Sequence, residues 1–522
     1  MGIYLNPDNK DFQRALNSKI YIDKSELISY TNSIMNTEQQ FVCSSRPRRF
    51  GKSMAANMLT AYYSRGCDSG ELFKNLNISK AESFEKHLNK YNVIHLNMQN
   101  FLSRTQSIDQ MIALITNAVC RDIFREYPDI DYLDVTILSC VLEDVFQECK
   151  TPFVIIIDEW DCIFRVNKKD TESQKKYLDF LRNIIKDQSY VSLAYMTGIL
   201  PIKKYGEHSA LNMFTEISMT DARPVEEFTG FTEEEVRSLC KKYNMSFEET
   251  KRWYDGYYAD GVSLYNPKSV VEAMLRGKFS NYWTKTETYE ALKEFIELNF
   301  DGLKDKIIIM ISGEKATVNP DKFQNDMTTF KSADDVLTLL IHLGYLTYDD
   351  EHREIWIPNN EVQQEFINSI EDGGWEPVMQ AIRQSELLLR STLERDEEKV
   401  ATLIEQAHQD NTFVLKYHDE NSLSCVVSLA YYSARKSYII HRETPSGKGF
   451  ADLIFEPRKN TDMAAFIVEL KWGHSAEEAL IQIKAKDYSD ALNDYKGEIL
   501  LVGVNYDRQT KKHSCRIERA GN

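Results

Sequence analysis

The stretch FVCSSRPRRFGKSMAANML, residues 41–59, decides the fold of the first part of the chain. It predicts a short strand that ends at Ser45 and an apolar helix that begins near Lys52. The loop between them ends in Gly51-Lys52-Ser53, the last three residues of the phosphate-binding pattern G-x-x-x-x-G-K-[ST]. That pattern requires a glycine at position 46, where this chain has Arg46.

The loop retains the groups that bind phosphate even without that glycine. Pro47 has no N–H, but the later backbone amides can surround a phosphate at the N-terminus of the helix. Gly51 allows close backbone approach, the Lys52 ammonium neutralises phosphate charge, and the Ser53 hydroxyl is a Mg²⁺ ligand. The loop therefore predicts a nucleotide site formed by Arg48, Arg49, Phe50, Gly51, Lys52 and Ser53.

Two further strands end in polar residues that suit the same site. TPFVIIIDEWD is a continuous apolar run, typical of a central parallel strand, and it ends in Asp158-Glu159. We expect Asp158 to hold Mg²⁺ and Glu159 to polarise the attacking water; the alternative is two acids that end a strand in solvent. In SLAYMTGIL, Thr197 either senses the γ-phosphate or is a hydrogen-bonded residue at a strand end.

Strands and helices alternate through residues 1–224, which predicts a parallel sheet with helices on both faces. The predicted strands are QQFVCSS, NVIHLNM, PFVIIID and SLAYMTG, and SIDQMIALITNAVCRDIFREY is a long amphipathic helix. Residues 225–374 change in character: Thr232 and Glu235 form a capping box. A helix, a turn at Gly344, a β-hairpin and a second helix follow, the outline of a winged helix.

Residues 375–414 predict a charged helical linker, and residues 415–522 predict a helix, three strands, a helix and a strand. In GFADLIF and FIVELKW, antiparallel pairing brings Asp452 beside Glu469, and alternation places Lys471 on the same face as Glu469. Two carboxylates can bind Mg²⁺ or Mn²⁺, and the lysine can orient a water for attack on a phosphodiester. The alternative is a pair of surface charges on an ordinary strand.

Composition limits the classes of function. The chain has 522 residues, 42% hydrophobic and 27% charged, which predicts a soluble protein of several domains. A net charge of −17 excludes coating of nucleic acid by the whole surface but allows a local basic groove. The nine cysteines form no C-x-x-C pair, which favours reduced thiols. No signal peptide or membrane span is recognisable, so we expect a cytoplasmic protein without membrane partners.

Several motifs together carry a family resemblance. YIDKSELI, RPRRFGKS, FTGFTEEEV, WYDGYYADGVSLYNPKSV and YWTKTE, in this order, resemble the bacterial AAA-ATPase-like proteins with a C-terminal PD-(D/E)XK nuclease module. The resemblance covers nearly the whole chain. It implies that Arg-Pro-Arg-Arg at residues 46–49 is the usual start of the loop in this family, so the absent glycine is a family trait. It implies an α/β fold with an AAA-like P-loop ATPase domain, a winged-helix lid and a restriction-endonuclease-like domain. It also implies ATP as the nucleotide, with Arg48 and Arg49 contacting phosphate or DNA unless they are solvated.

The resemblance extends to the C-terminal site. Gln482, Lys486 and Tyr488 match its Q-I-x-x-K-x-Y pattern, which implies Gln482 at the metal-bound water or phosphate and Lys486 at the DNA backbone; a solvated helix face is the alternative. Glu420 matches the acidic residue of the first helix and is a further metal ligand in this scheme. Many relatives have Tyr-His inside that helix, where this chain has Leu423-Ser424, which weakens the match for the first helix only.

The leading hypothesis is an ATP-controlled, Mg²⁺-dependent nuclease that acts on nucleic acid, DNA being the expected substrate. Defence against foreign DNA follows only by analogy with other ATPase–nuclease fusions. One alternative is a nucleotide-dependent signalling or scaffolding switch whose last domain binds nucleic acid without cutting. Another is an ATPase motor as the sole catalyst; a motor ring of identical subunits needs a trans-acting arginine, for which Arg223 is a candidate.

Overall fold

The computed structural model describes residues 2–520 apart from 203–210, 260, 284–289, 299, 325–326, 328–329, 374, 412–419, 447–448, 459–462, 487–491, 493–494 and 508. It divides into two compact units. The first unit comprises Met1–Thr288 and Thr317–Gln364, and the second comprises Tyr289–Ala316 and Glu365–Asn522. The domain boundaries expected after residues 224, 374 and 414 stay predictions.

Thirteen α-helices and eight strands are described up to residue 283. The helices are α1 (Lys10–Leu16), α2 (Glu26–Ile34), α3 (Lys52–Tyr63), α4 (Gly70–Phe73), α5 (Phe84–His87), α6 (Met98–Leu102), α7 (Ile108–Glu126), α8 (Leu138–Cys149), α9 (Cys162–Val166), α10 (Thr171–Ile185), α11 (Glu233–Tyr243), α12 (Phe247–Tyr254) and α13 (Pro267–Arg276). The strands are β1 (Phe41–Ser45), β2 (Asn92–Asn97), β3 (Phe153–Asp158), β4 (Val191–Gly198), β5 (Thr215–Ile217), β6 (Phe231–Thr232), β7 (Tyr257–Ala259) and β8 (Val262–Tyr265).

The first sheet is parallel throughout, with strand order β2-β3-β4-β1-β5. The four strands predicted from the sequence are confirmed as β1 to β4. Every residue of β3 and β4 is buried, as the unbroken apolar runs predicted. Because β4 lies between β1 and β3, the carboxyl ends of these strands meet at the edge where the phosphate loop begins.

Helix α7 confirms the predicted long amphipathic helix. It also forms hydrogen bonds with the first residues of the chain. Its N-cap Ser107 accepts a hydrogen bond from the Gln110 amide, and its apolar stripe is buried. Asp122 lies on the same helix and is buried despite its charge. Its carboxylate accepts backbone N–H groups from Ile3 and Tyr4 at 2.7 and 2.8 Å, which compensates for the lost hydration.

The segment after the first sheet begins with the predicted capping box. The Thr232 hydroxyl accepts from the Glu235 amide at 3.4 Å, and the Glu235 carboxylate accepts from the Thr232 amide at 2.8 Å. Helix α11 therefore begins where the sequence predicted. Strands β6, β8 and β7 form a small antiparallel sheet in that order.

Between residues 290 and 372 the described part of the chain is mainly helical, with one small sheet. Its elements are α14 (Glu290–Ile296), α15 (Leu303–Ile311), β9 (Ala316–Thr317), α16 (Ala333–Leu343), β10 (Thr347–Asp349), β11 (Glu354–Trp356) and α17 (Asn360–Asp372). Gly344 has φ +87° and ends α16, which confirms the predicted turn. Strands β10 and β11 form the predicted hairpin, and β9 pairs with the far side of β11.

The C-terminal part forms a mixed sheet with helices. Its elements are α18 (Glu376–Leu393), α19 (Glu397–Asn411), α20 (Glu420–Ala430), β12 (Tyr438–Ser446), β13 (Gly449–Pro457), β14 (Ala465–Trp472), α21 (Ala476–Lys486), β15 (Ile499–Asp507) and β16 (Lys512–Arg519). The strand order is β12-β13-β14-β15-β16, with only β14 and β15 parallel. The stacked rings of Phe455 and Phe466, 4.1 Å apart, lie in its core. No helix among the residues described here is long and apolar enough to cross a bilayer.

Candidate nucleotide and nuclease sites

The phosphate loop spans the gap between β1 and α3. Gly51 has φ +93° and Arg49 has φ +68°, so the backbone turns through the left-handed region twice before the helix begins. No heavy atom lies within 4 Å of the position that a Gly51 Cβ would occupy. Glycine is therefore favoured here by backbone conformation and not by lack of space. The amide of Ala55 donates to the Gly51 carbonyl at 2.9 Å, which starts the helical ladder.

Lys52 is buried at the base of this loop. Its ammonium donates to the carbonyls of Arg46 at 2.9 Å and Pro47 at 2.8 Å. Burial lowers the pKa of Lys52 to about 8, while the carboxylates of Glu159, Asp161 and Asp158 act in the opposite direction. The lysine thus lies within electrostatic reach of the acids at the end of β3, the arrangement that phosphate and a divalent cation require.

Arg46, which stands where the motif has glycine, is buried and serves the structure of the loop. Its Nε donates to the Thr229 hydroxyl at 3.0 Å. Its Nη1 donates to the carbonyls of Ser218 at 2.6 Å and Ser45 at 3.3 Å. The side chain therefore anchors the first half of the loop to the segment that precedes β6, and the phosphate-facing half begins after it.

Polar side chains from three neighbouring strands meet at the carboxyl edge of the sheet. The Asp158 carboxylate accepts from the Asn97 side-chain amide at 3.0 Å through Oδ2 and from the Thr197 hydroxyl through Oδ1. Asn97 is the register partner of Asp158 on β2. Thr197 is thus hydrogen-bonded to the acid expected to hold Mg²⁺. Sequence reasoning did not identify Asn97, although its place at the end of β2 was a usable signal.

Glu159 is held by residues that the sequence analysis also missed. It has φ +56°, and its carboxylate forms an ion pair with Arg165 on α9. Arg165 Nε lies 3.1 Å from Asp161 Oδ2. That oxygen also accepts the amides of Ile199 at 3.0 Å and Leu200 at 2.9 Å. Glu159 therefore belongs to a charged network and does not simply end a strand in solvent.

The phosphate loop and Glu159 border a cavity of about 590 Å³, a volume typical of small-molecule sites. Its lining includes loop residues 48–53 and Glu159, together with Lys24 and Lys268. It also includes apolar side chains, among them Ile20, Tyr21, Ile22, Phe228, Phe231 and Val271. A lining that combines phosphate-binding loop groups with apolar side chains fits a nucleotide with its base. The apolar residues were not predicted as site residues, although Tyr21 and Ile22 lie in the quoted motif YIDKSELI.

The residues present fit an ATP–Mg²⁺ site. All six predicted loop residues line the cavity, with Phe50 buried and Ser53 exposed. Asp158 and Thr197 are buried at the ends of β3 and β4 and are not among the described residues that line the cavity. The donor set is a helix N-terminus, a lysine, a hydroxyl and a carboxylate, which is the chemistry that a triphosphate and its Mg²⁺ need.

The second candidate site lies on β13 and β14, and the predicted antiparallel pairing of these strands is confirmed. Leu453 pairs with Val468, and the Asp452 carboxylate accepts from the Leu470 amide at 2.6 Å. Asp452 consequently stands next to Glu469 across the two strands. The backbone hydrogen bond fixes one oxygen of the aspartate at this position.

Glu469 is the centre of this site. It is buried, and its Oε1 accepts from the Lys471 ammonium at 3.0 Å and from the Gln482 side-chain amide. Gln482 reaches it because α21 packs closely on β15 over Gly503. A Cβ at Gly503 would lie 2.3 Å from the carbonyl oxygen of Ala476. Asp452, Glu469, Lys471 and Gln482 are thus brought together by three elements, and Gly503 is a residue that sequence reasoning missed.

The structure describes no side chain for three of the predicted residues. Glu420 is the first residue of α20 and Lys486 is the last residue of α21, but their side chains lie outside the described part of the structure, as does all of Tyr488. Within the described part, no group of three or more His, Cys, Asp or Glu side chains is arranged to hold a metal. The described oxygen ligands that suit Mg²⁺ or Mn²⁺ are therefore the two carboxylates of Asp452 and Glu469.

The two folds and sites define an α/β enzyme with a P-loop ATPase domain followed by a nuclease-like domain. Comparison with protein families assigns each part. Residues 10–206 match the family described as predicted AAA-ATPase, and residues 418–515 match the PD-(D/E)XK nuclease superfamily. The chain thus carries an AAA-ATPase-like domain and a C-terminal PD-(D/E)XK nuclease superfamily domain, as the sequence motifs predicted.

Individual relatives are distant or partial. An uncharacterized protein in the vnfD 5′ region of Azotobacter chroococcum mcd 1 is 30% identical over 141 residues, 26% of this chain and 27% of that protein. The match therefore spans about a quarter of that relative. The Aeropyrum pernix ORC2 protein is 13% identical, with 70% of this chain and 98% of that chain covered and a TM-score of 0.31. The Aeropyrum pernix ORC1 protein in complex with DNA is 11% identical, with coverage of 71% and 98% and a TM-score of 0.28.

Proposed function

We propose that this protein is an ATP-controlled, Mg²⁺-dependent nuclease of the cytoplasm that cuts DNA. The observation that carries the proposal is the convergence of Lys471 and Gln482 on one oxygen of Glu469, directly beside Asp452. An ordinary surface pair does not bury its glutamate, and Glu469 is 1% exposed. Burial of a charged group is costly, so such a cluster points to function more than to stability.

At the nucleotide site, each loop residue has a defined task. The amides of Arg48 through Ser53 and the Lys52 ammonium bind the phosphates, and Ser53 and Asp158 hold Mg²⁺, whose charge would offset that of the phosphates. Asn97 and Thr197 orient the Asp158 carboxylate through their hydrogen bonds. Glu159 polarises the attacking water, and the apolar side chains of the cavity receive the base.

At the nuclease site, Asp452 and Glu469 hold the divalent cation, which would stabilise negative charge on the phosphodiester. Lys471 orients the attacking water and supplies positive charge near the scissile phosphate. Gln482 fixes the Glu469 carboxylate from the side of α21. The proposal also includes DNA as the substrate, a role in defence against foreign DNA and assembly into a homo-oligomer.

The link between nucleotide and lid rests on contacts within the first unit. The Phe50 ring packs edge-on against Tyr257, with centroids 4.9 Å apart, and the Tyr257 hydroxyl donates to the Gly344 carbonyl at 3.2 Å. Gly344 also lies against Pro47, since a Cβ there would be 2.7 Å from the Pro47 Cβ. In our proposal, nucleotide in the loop shifts Phe50 and Pro47 and so moves α16 and its hairpin as a winged-helix lid.

The nuclease part is tested by substituting Lys471. We expect Lys471→Ala to lower the rate of DNA cutting at least about 100-fold, because the attacking water loses its orienting charge. The assay uses linear and circular duplexes, single strands and RNA with Mg²⁺ or Mn²⁺. Lys484→Ala is the matched control, because Lys484 pairs with Glu518 on the exposed side of α21. Absence of cutting by the unsubstituted protein on all of these substrates would refute the nuclease in favour of a binding or scaffolding role. Equal, measurable cutting by Lys471→Ala and the unsubstituted protein would refute this site as the site of cutting.

A further inference from the structure

A long groove runs along one face of helix α7, and none of its described lining residues borders the nucleotide cavity. Its volume is about 780 Å³, and its lining comes from α7 and from residues 135–136, ahead of α8. The lining residues of α7 recur every three or four positions from Asp109 to Arg125, so they form one continuous stripe. At a rise of about 1.5 Å per residue, the stripe is about 24 Å long. A groove of this shape and length is suited to a second helix.

The groove has apolar side chains that are accessible to solvent. Ile112 and Phe124 of α7 are half-buried, and they line the groove together with Val135, which is 51% exposed. Leu133 and Ile137, two residues to either side of Val135 in the chain, are 83% and 47% exposed. Large apolar side chains that are exposed so close together are typical of a surface that binds another molecule. Their burial by a partner would be favourable.

The segment that carries these exposed side chains is attached to both neighbouring helices. The Tyr132 hydroxyl donates to the Tyr127 carbonyl at 2.9 Å, and the Tyr132 ring packs edge-on against Phe124 of α7, with centroids 4.7 Å apart. The Leu133 amide donates to the carboxylate of Asp144 on α8 at 2.8 Å. The apolar side chains are thus held in position before a partner binds, which lowers the entropic cost of binding.

Two arginines give one end of the groove a positive charge. Arg121 and Arg125 lie one turn apart on α7, line the groove and are exposed, and in the described part of the chain neither forms an ion pair. Asp109 lines the other end, but Lys176 lies 3.0 Å from its carboxylate. The aspartates of residues 129–134 are not among the described lining residues. Carboxylates one helical turn apart on a partner would be complementary to the two arginines.

We propose that the groove along α7 binds an amphipathic helix of a partner protein, with acidic residues beside the apolar stripe of that helix. The apolar stripe covers Phe124 and Val135, and two carboxylates at positions i and i+4 face the arginines of α7. Nucleic acid is a poorer match, because Phe124 is the one aromatic side chain in the described lining and already packs against Tyr132. This interaction goes beyond the proposed ATPase and nuclease activities and depends on neither.

The test selects binders to the full-length protein from a displayed library of random peptides of about 16 residues, the length of the stripe. We expect the selected peptides to have Leu, Ile or Phe at helical spacing and Glu or Asp beside them. Fluorescence anisotropy then measures the Kd of synthetic copies. Arg121→Glu combined with Arg125→Glu should raise Kd at least about tenfold, because like charges then meet. Val135→Ser should raise it about threefold, because less apolar surface is buried.

The matched control is Lys241→Glu combined with Lys242→Glu, which changes the net charge equally at exposed positions of α11 outside the groove and should leave Kd unchanged. All substituted side chains are exposed, so the variants should stay folded, which circular dichroism verifies. Failure to enrich acidic amphipathic peptides, or equal Kd for the arginine and lysine double variants, overturns the proposal. Displacement of the peptides by a DNA oligonucleotide at the groove also overturns it, as does a dimer that the arginine double variant dissociates.

Discussion

At the scale of single residues, the phosphate loop shows how a motif can lose a required glycine and keep its geometry. Arg46 does not face the cavity, because its guanidinium is buried and bound to the segment before β6. The left-handed turns that bring amides toward a phosphate occur later, at Arg49 and Gly51. The sequence alone showed the missing glycine, but burial of Arg46 depends on a segment more than 170 residues away.

Replacing Arg46 with glycine restores the full pattern G-x-x-x-x-G-K-[ST], and we nevertheless expect it to lower the stability of the protein. Arg46→Gly leaves the Ser218 carbonyl and the Thr229 hydroxyl without their buried donor, which we expect to cost about 2–4 kcal/mol of unfolding free energy. Chemical denaturation measures this loss. Arg48→Gly is the matched control, because Arg48 is exposed on the same loop and its substitution should change stability by less than about 1 kcal/mol. Equal stability of the two variants would contradict the structural role of Arg46.

Glu361 predicts a pH dependence of stability. It is buried, and desolvation raises its pKa to about 7, although the amides of Tyr282 and Trp283 donate to it at 2.6 and 3.2 Å. Because folding raises this pKa, Glu361 makes its full contribution to the free energy of unfolding at pH values below the ordinary pKa of glutamate. That contribution is lost as the pH rises to about 7. Between those limits the slope is about 1.4 kcal/mol per pH unit.

Glu361→Gln should remove this slope, because glutamine does not ionise. The measurement is denaturant unfolding of both proteins at several pH values from 5 to 8, with the difference between them isolating this residue. Glu351→Gln is the control, since Glu351 is exposed on the turn of the hairpin. Parallel stability curves for Glu361→Gln and the unsubstituted protein would show that the buried carboxyl does not titrate in this range.

At the scale of elements, the sequence predicted the helices and strands whose own residues carry a strong local pattern. Strands β1 to β4, helix α7 and the capping box at Thr232 were all readable from apolar periodicity and capping residues. Strand β5 was missed because it has three residues, of which only Ile217 is buried. Strand β16 was missed because its buried positions include His513 and Cys515, so the alternation has no apolar run.

The positions of the candidate site residues were predictable to a similar extent. The place of Asp158 at the end of a strand was predicted because it directly follows an unbroken apolar run. Asn97 and Arg165 were missed, since their contacts depend on strand order and on the path of the chain after β3. Gly503 was missed because its importance comes from a helix packing on the sheet and not from its own strand.

The close packing of α21 on β15 predicts an effect on catalysis at a distance. Gly503→Ala would place a Cβ 2.3 Å from the Ala476 carbonyl oxygen and 3.0 Å from the Ala479 Cβ, so α21 must move outward. Gln482 then loses its contact with Glu469, and we expect DNA cutting to fall about tenfold or more. Single-turnover cleavage measures this, with circular dichroism to verify folding. Gly70→Ala is the control, because the nearest atoms lie at ordinary contact distances of 3.7 and 3.9 Å.

At the scale of the whole molecule, the two candidate sites belong to different compact units of one chain. The nucleotide cavity lies entirely in the first unit and the carboxylate cluster entirely in the second. The chain passes between the units after residues 288, 316 and 364. In our proposal, these three covalent connections transmit a nucleotide-dependent change from the first unit to the second. Sequence motifs predicted both sites and their order, but not that the chain would cross between the units repeatedly.

Control of DNA cutting by nucleotide is the central claim. The most direct measurement is the cleavage rate of a DNA duplex in Mg²⁺, with and without ATP, for the unsubstituted protein and for Lys52→Ala. We expect ATP to change the rate of the unsubstituted protein at least about fivefold and to leave Lys52→Ala unaffected, because our proposal assigns the phosphate-binding charge of the loop to the buried Lys52. Glu469→Ala should not cut under either condition. Cleavage by Lys52→Ala with the same ATP response as the unsubstituted protein would contradict the account.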